Sequence, residues 1–261
     1  MLTSPKLKTT ILAPFQKDNP ILVVAPSLGT SAVALWSDAA KRLADNFGVV
    51  GVDLPGHGAS QTVAPIKDMS LLAKALLAGI EDAIGSGKPF FFAGVSVSGC
   101  IGLQLSLDAA DQLAGAAILN SAAKIGEHAA WMERAAFVRN EGTKAMRESS
   151  PGRWFAPGFV EKNPARVEAL LDSLVEADAD GYAGVCEALA SFDVRSALGT
   201  IACPFIVIGG ENDVATPPEQ QRMIAEKIPG ARVEILLNAG HLAPAEKPDE
   251  VAKLLIDYFK A

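Results

Sequence analysis

Pro89-Phe90-Phe91-Phe92-Ala93-Gly94-Val95-Ser96-Val97-Ser98-Gly99-Cys100 is an apolar run that stops abruptly in small residues, with a serine at the break. The run reads as a buried strand, and the small residues as a tight turn into a helix. A serine at such a turn sits in a strained backbone conformation that lifts its Oγ above the edge of the sheet, where a substrate can reach it. The pattern for a nucleophile elbow is G-x-S-x-G. Gly94 and Ser96 supply most of it, but the second glycine position holds Ser98, with Gly99 one place late. A Gly/Ser-rich turn after a strand is also an ordinary connection, so the other loops have to decide the reading.

On either side of this stretch, strands and helices alternate. Ile21–Ala25 is a buried strand ending in the small-residue loop Pro26–Ser31, followed by a helix from about Ala32 to Leu43. Val49–Val52 is a second strand, emptying into Asp53-Leu54-Pro55-Gly56-His57-Gly58-Ala59-Ser60. Helical spacing follows over Leu71–Ile84 and, behind the elbow, over Ile101–Ala110; Ala116–Leu119 is again a strand. From Lys124 to about Phe192 there is no β-like run. Alternation resumes with a strand at Pro204–Ile208, a helix at Pro217–Ile228, a strand at Val233–Leu237 and a closing helix at Val251–Phe259. Nearly all-apolar strands separated by helices imply a mostly parallel sheet covered on both faces, here interrupted by a helical insertion.

The chain has 261 residues, of which 49% are hydrophobic and 20% charged, enough for one large core carrying an insertion. Met1–Thr10 lacks the apolar segment of a signal peptide, and no apolar run approaches membrane-spanning length, so the expected location is the cytoplasm. A formal net charge of −7 argues against nucleic-acid or anionic-membrane partners, since both need a basic face. Cys100, Cys186 and Cys203 are far apart and form no C-x-x-C pair, which argues against a disulfide framework or a zinc site and suggests buried thiols. No dinucleotide fingerprint is present, so no cofactor or metal is expected.

In a parallel sheet the loops at the carboxyl ends of the strands gather on one side, where ligands bind. A serine nucleophile needs a base within hydrogen-bond reach, and the chain has three histidines: His57, His128 and His241. His241 follows the last strand and so lies in a carboxyl-end loop. His57, between Gly56 and Gly58, reads as a loop-bracing residue, and His128 falls in the helical insertion. The carboxylate that orients the base is expected in Gly209–Pro218: Asp213 is chosen, with Glu211 as the fallback. Thr216 and Pro217 already make a good helix start, so Asp213 is not needed as a cap. The order Ser96, Asp213, His241 is that of an α/β-hydrolase fold. The oxyanion would rest on the backbone amides of Val97, just after the nucleophile, and Leu28, in the loop after the first parallel strand.

These residues resemble the 3-oxoadipate enol-lactonases of the α/β-hydrolase superfamily, from about Ile21 to the end of the chain. Ser27–Thr30, Asp53–Ser60, the elbow, Gly210–Asp213 and Gly240-His241 are shared at superfamily level. More specific are Asn120–Gly126, Trp131 with Arg134, Arg153-Trp154-Phe155, Gly181–Cys186 and Thr216-Pro217-Pro218. The resemblance implies that residues 124–192 are a lid on a core of residues 1–123 and 193–261. It implies as substrate a small lactone bearing a carboxylate, with Trp131, Arg134 and Trp154 as substrate-binding residues. Arg134 would meet the carboxylate beside Trp131 as an apolar wall; the plainer reading is a solvated arginine paired with a nearby Glu. Two positions depart from the family pattern: Pro55 stands where an arginine is usual, and Ser98 where a glycine is usual. Rival readings are a carboxylesterase, a hydrolase of another lactone, or a non-catalytic binding protein on the same fold.

Overall fold

The apolar runs become strands in a computed structural model that describes residues 7–62, 66 and 68–260. Residues 1–6, on which part of the leader reading rests, lie outside the described residues. The described chain runs β1 (Thr9–Ala13), β2 (Ile21–Ala25), α1 (Ala32–Leu43), β3 (Gly48–Val52), α2 (Met69–Ile84), β4 (Phe90–Val95), α3 (Val97–Asp108) and β5 (Leu113–Leu119). A helical stretch follows: α4 (His128–Glu141), α5 (Pro151–Trp154), α6 (Phe159–Lys162), α7 (Pro164–Glu176) and α8 (Ala179–Ala190). The chain then returns to β6 (Phe205–Gly210), α9 (Pro218–Lys227), β7 (Arg232–Leu236), α10 (Ala243–Glu246) and α11 (Pro248–Phe259).

Most differences from the sequence reading are at element ends. The helix behind the elbow begins at Val97 rather than Ile101, because the small residues of the turn can themselves take helical conformation. The closing helix begins at Pro248, where a proline in the first turn sacrifices no intrahelical bond. Short, Thr-rich β1 pairs antiparallel with β3 as an edge strand.

The sheet order is β1-β3-β2-β4-β5-β6-β7, and every pair other than β1 with β3 is parallel. β3 and β6 are buried at every residue, and β2, β4 and β5 at all but one, which requires cover on both faces. From β2 the chain passes to β3 on one side, then returns to β4 on the other. The connections leaving β2 and β4 therefore diverge and open a crevice at their carboxyl ends. The register sets Ala25 beside Gly94, so the Pro26–Ser31 loop and the Ser96 turn emerge side by side. Trp36 on α1 fixes this end of β2 by donating its indole N–H to the Ala25 carbonyl at 3.0 Å. Among the described residues no helix is long and apolar enough to cross a membrane.

Candidate active site

Ser96 adopts φ 58° and ψ −118°, a left-handed conformation that a non-glycine residue holds only when its surroundings enforce it. Here they do. Its N–H donates to the Leu119 carbonyl at 2.9 Å, and its own carbonyl accepts from the Gly99 amide at 2.8 Å and the Ser121 hydroxyl at 2.7 Å. The glycines on either side answer to space: a Cβ on Gly94 would lie 2.2 Å from the Ser98 carbonyl oxygen, and one on Gly99 would lie 2.4 Å from the Ser121 Cβ. Ser98 is fully buried and donates its hydroxyl to the Pro26 carbonyl, tying the elbow to the loop after β2. The late glycine thus falls where helix α3 meets the end of β5, and Ser98 fits without displacing anything.

His241 Nδ1 lies 3.0 and 2.9 Å from the two Asp213 carboxylate oxygens, and both residues are buried. Asp213 also accepts from the Ala215 and Thr216 amides at 2.9 and 3.0 Å, the Thr216 hydroxyl at 2.7 Å and the Asn120 amide at 3.0 Å. Burial by itself would raise the Asp213 carboxyl, but the adjacent His241 and the Thr216 donors outweigh it and hold the group down at about 2. It is therefore an anion at neutral pH, able to fix the imidazole tautomer with its proton on Nδ1. The amides it accepts belong to the turn before α9, whose cap position is Pro217. Glu211 is exposed and accepts the Asn238 amide instead, away from the imidazole.

Asn120, directly after β5, has φ 48° and sends its side-chain N–H groups to Asp213 and to the Gly240 carbonyl, both at 3.0 Å. It braces acid and base loops together, a role the sequence reading did not assign. The rule that chemistry gathers at carboxyl ends of strands applies to this residue as well and could have found it.

The Leu28 and Val97 amides donate to no protein acceptor among the described residues, whereas the next amide, Gly29, donates to His57 Nε2 at 3.0 Å. His57 Nδ1 in turn lies 2.8 Å from the Pro55 carbonyl, which makes that nitrogen the protonated one. The ring is fully buried and its pKa is pushed down to about 4, chiefly by desolvation. His57 is thus a neutral brace under the loop, stacked 5.9 Å from Tyr182. His128 is exposed and bonded to the Ala190 carbonyl, and it does not line the cleft that holds Ser96 and His241.

Ser27, Leu28, Ser96, Trp131, Arg134, Arg153, Trp154, Tyr182 and His241 line one cleft of about 590 Å³ of atom-free space, part of it open to solvent. Besides the fallback acid Glu211, the catalytic, main-chain and substrate-binding candidates that do not line the cleft are Val97, at the buried start of α3, and Asp213, behind the imidazole. Arg134 lies over Trp131, 5.0 Å from its ring centre, and shares the cleft with Tyr182. Among the described residues no carboxylate pairs with Arg134 or with Arg153. The plainer alternative, Arg134 paired with a nearby glutamate, is not seen among the described ion pairs. Burial and the Arg134 charge lower the pKa of Arg153, as two cations sharing an unneutralised pocket should. Pro55, by contrast, lines a separate cavity with Thr62, Arg139 and Glu187. Of the thiols, Cys100 and Cys186 are buried, while Cys203 is only half-buried.

A serine in a left-handed conformation and a buried Asp–His pair thus meet one cleft at the carboxyl ends of the strands, an arrangement that can carry out nucleophilic acyl transfer. The sequence pattern of the alpha/beta hydrolase family matches residues 22–254. The chain belongs to that family. The hydrolase is 36% identical to the 3-oxoadipate enol-lactonase 2 of Acinetobacter baylyi, over 89% of this chain and 86% of that one. Its fold superposes on the crystal structure of the enol-lactonase from Burkholderia xenovorans LB400 with a TM-score of 0.91 and 31% identity, covering 98% of this chain and 96% of the other. A further relative, from Pseudomonas savastanoi pv. phaseolicola, has a carbamate-hydrolase name, RutD, and is 27% identical over 94% of this chain and 95% of its own. The enol-lactonase resemblance seen in the sequence is borne out by the first two.

Proposed function

We propose that the hydrolase opens a small carboxylate-bearing lactone, 3-oxoadipate enol-lactone, to 3-oxoadipate through an acyl-enzyme on Ser96. His241 takes the Ser96 proton as the hydroxyl attacks the lactone carbonyl, and the oxyanion rests on the Leu28 and Val97 amides. The ring C–O bond then breaks, His241 returns the proton, and the enol formed becomes a ketone. An enol is a better leaving group than an ordinary alcohol and asks less of the general acid. Water, deprotonated by His241, releases the acyl group as a carboxylate, while Asp213 stabilises the imidazolium in both halves. Residues 124–192 act as a lid on the core of residues 1–123 and 193–261, and supply Trp131, Arg134 and Trp154 to the substrate.

One observation carries this reading: Ser96 and the Asp213-backed His241 share a cleft with two guanidinium groups that no described carboxylate neutralises. The likeness to named enol-lactonases supports the choice of substrate. A second reading, hydrolysis of another small ester or of a carbamate, has the RutD likeness in its favour. Turnover of the enol-lactone, a neutral short-chain ester and a simple carbamate, measured side by side, separates them. The expected ranking puts the enol-lactone first; faster turnover of a neutral substrate would reject the lactone assignment. Fluorophosphonate labelling lost in Ser96→Ala is expected, and labelling that survives that change would reject Ser96 as the nucleophile.

A further inference from the structure

Glu246 ends α10, is buried, and meets no cation among the described ion pairs; its neighbour Lys247 pairs with Glu250 instead. Both of its carboxylate oxygens accept main-chain amides, Oε1 from Gly240 at 2.9 Å and Oε2 from Ala156 at 2.8 Å. The first amide belongs to the loop that bears His241, the second to the segment just after α5 in the helical insertion. The same seam is closed by the Trp154 carbonyl, which accepts the N–H groups of His241 at 2.9 Å and Leu242 at 3.2 Å. The fit leaves no slack: a Cβ on Gly240 would lie 2.6 Å from the Ala156 nitrogen and 2.9 Å from the Trp154 oxygen.

Burying a carboxylate for the sake of two neutral amides is an expensive way to fasten two segments, so a purely mechanical brace has cheaper solutions. What only a carboxylate offers is an acceptor on each oxygen, so that one side chain holds the Gly240 amide beside His241 and the Ala156 amide at once. Burial raises the Glu246 carboxyl above the ordinary carboxylate value, against the amides and His241, which oppose the rise. The other charged groups nearby are Lys247 beside it and Asp38, Lys162 and Arg166, which share a surface cleft with it.

We propose that Glu246 is a positioning residue for the hydrolysis, its carboxylate locking the His241 loop to the Trp154–Ala156 segment so that base and pocket wall are set as one unit. The inference rests on His241 being the general base. A base displaced by about 1 Å costs roughly a hundredfold in rate, so loosening one of the two anchors should be visible in kcat.

The test compares Glu246→Gln and Glu246→Ala with the parent on p-nitrophenyl acetate and on the enol-lactone, from about pH 5 to pH 9, with thermal midpoints alongside. In Glu246→Gln, kcat is expected to fall roughly tenfold with KM little changed. The ratio of parent to Gln-variant kcat should shrink as the pH is lowered, because the Glu246 carboxyl, raised by burial, takes up a proton in the parent while the amide does not titrate. Parent-like kcat in the Gln variant would overturn the proposal, and so would equal losses in both variants at a ratio to the parent that does not change with pH, which is the signature of a brace alone. If neither variant folds, amide hydrogen exchange of the parent decides. Protection at 154–156 and 239–242 should fall together as the pH is lowered, and independent loss of the two segments would overturn the coupling. Ser96→Ala and His241→Ala separate the two levels: ester turnover surviving in either rejects the mechanism itself, whereas their inactivity beside an unaltered Glu246→Gln rejects only the role of Glu246.

Discussion

Acidification should weaken this fold through one residue in particular, His57. Its ring is fully buried, Nε2 accepts the Gly29 amide, and Nδ1 donates to the Pro55 carbonyl, so a second proton would destroy the acceptor that holds the Ser27–Thr30 loop. Desolvation takes its pKa from 6.5 down to about 4, despite the opposing pull of Pro55 and Asp178. Because the folded state refuses the proton, the unfolded chain gains it first as the pH drops. Stability is therefore full above about pH 6.5, declines towards pH 4 and then levels off. Between those limits the two pKa values give a loss of about 2 kcal/mol at pH 5 and about 3 kcal/mol at pH 4. Against a typical stability of about 5–15 kcal/mol that is a large fraction.

Urea unfolding followed by tryptophan fluorescence, at about pH 7.5 and pH 5, measures the loss. His57→Gln is the control: its amide oxygen can still accept from Gly29, but it does not titrate. Other groups with shifted pKa values, Asp53, Asp213 and Glu246 among them, contribute to both proteins and cancel in the difference. The variant should start less stable, having lost the bond to Pro55 and the contact with Tyr182, yet lose about 2 kcal/mol less than the parent on going to pH 5. Parallel losses in the two proteins would refute the argument and place the acid sensitivity elsewhere.

Gly99→Ala should destabilise the fold by about 1–3 kcal/mol and slow fluorophosphonate labelling, because the new Cβ would sit 2.4 Å from the Ser121 Cβ; adding Ser121→Gly should recover much of the stability, as thermal midpoints would record. Arg153→Gln should raise KM for the carboxylate-bearing lactone roughly tenfold, about 1.4 kcal/mol, and leave a neutral ester unaffected. Equal effects on both substrates would mean that Arg153 shapes the pocket without binding the anion.

The parts legible in the sequence are those whose cause is local. An unbroken apolar run such as Phe90–Val95 has few fates besides a doubly covered strand, and the turn after it must be made of residues as small as those at 96–99. Of the three histidines two follow strands, and the glycines that flank His57 mark it as a loop brace and leave His241 as the expected base. The residues that hold the site together were not legible, because their partners are far away and anonymous. Asn120 meets Asp213 across 93 residues and Glu246 meets Ala156 across 90, in both cases with backbone or buried neighbours that leave no pattern in the chain. In sequence, Glu246 is one more glutamate between an alanine and a lysine, where charge ordinarily faces water. β1 escaped for a different reason: five residues rich in threonine, paired on one edge only, lack the apolar signature of the central strands.

The two departures from the enol-lactonase pattern bear on where substrate choice is written. At Pro55 the site uses the carbonyl, which accepts from His57, while the side chain lines a different cavity. Ser98 sits in a space set by Gly94 and adds a bond to the Pro26 carbonyl. Both changes therefore spare the elbow and the loop beside it, whose geometry depends on main-chain contacts that a change of side chain leaves in place. The cleft divides in the same way. The groups we assign to bond making and breaking come from loops at the strand ends, whereas Trp131, Arg134, Arg153, Trp154 and Tyr182 all come from the helices between β5 and β6. A chain in this family can thus keep one chemistry and exchange its substrate by altering side chains on helices that carry none of the groups assigned to bond making and breaking. The identity of the substrate should accordingly follow the two unneutralised arginines of α4 and α5 more closely than any residue of the elbow.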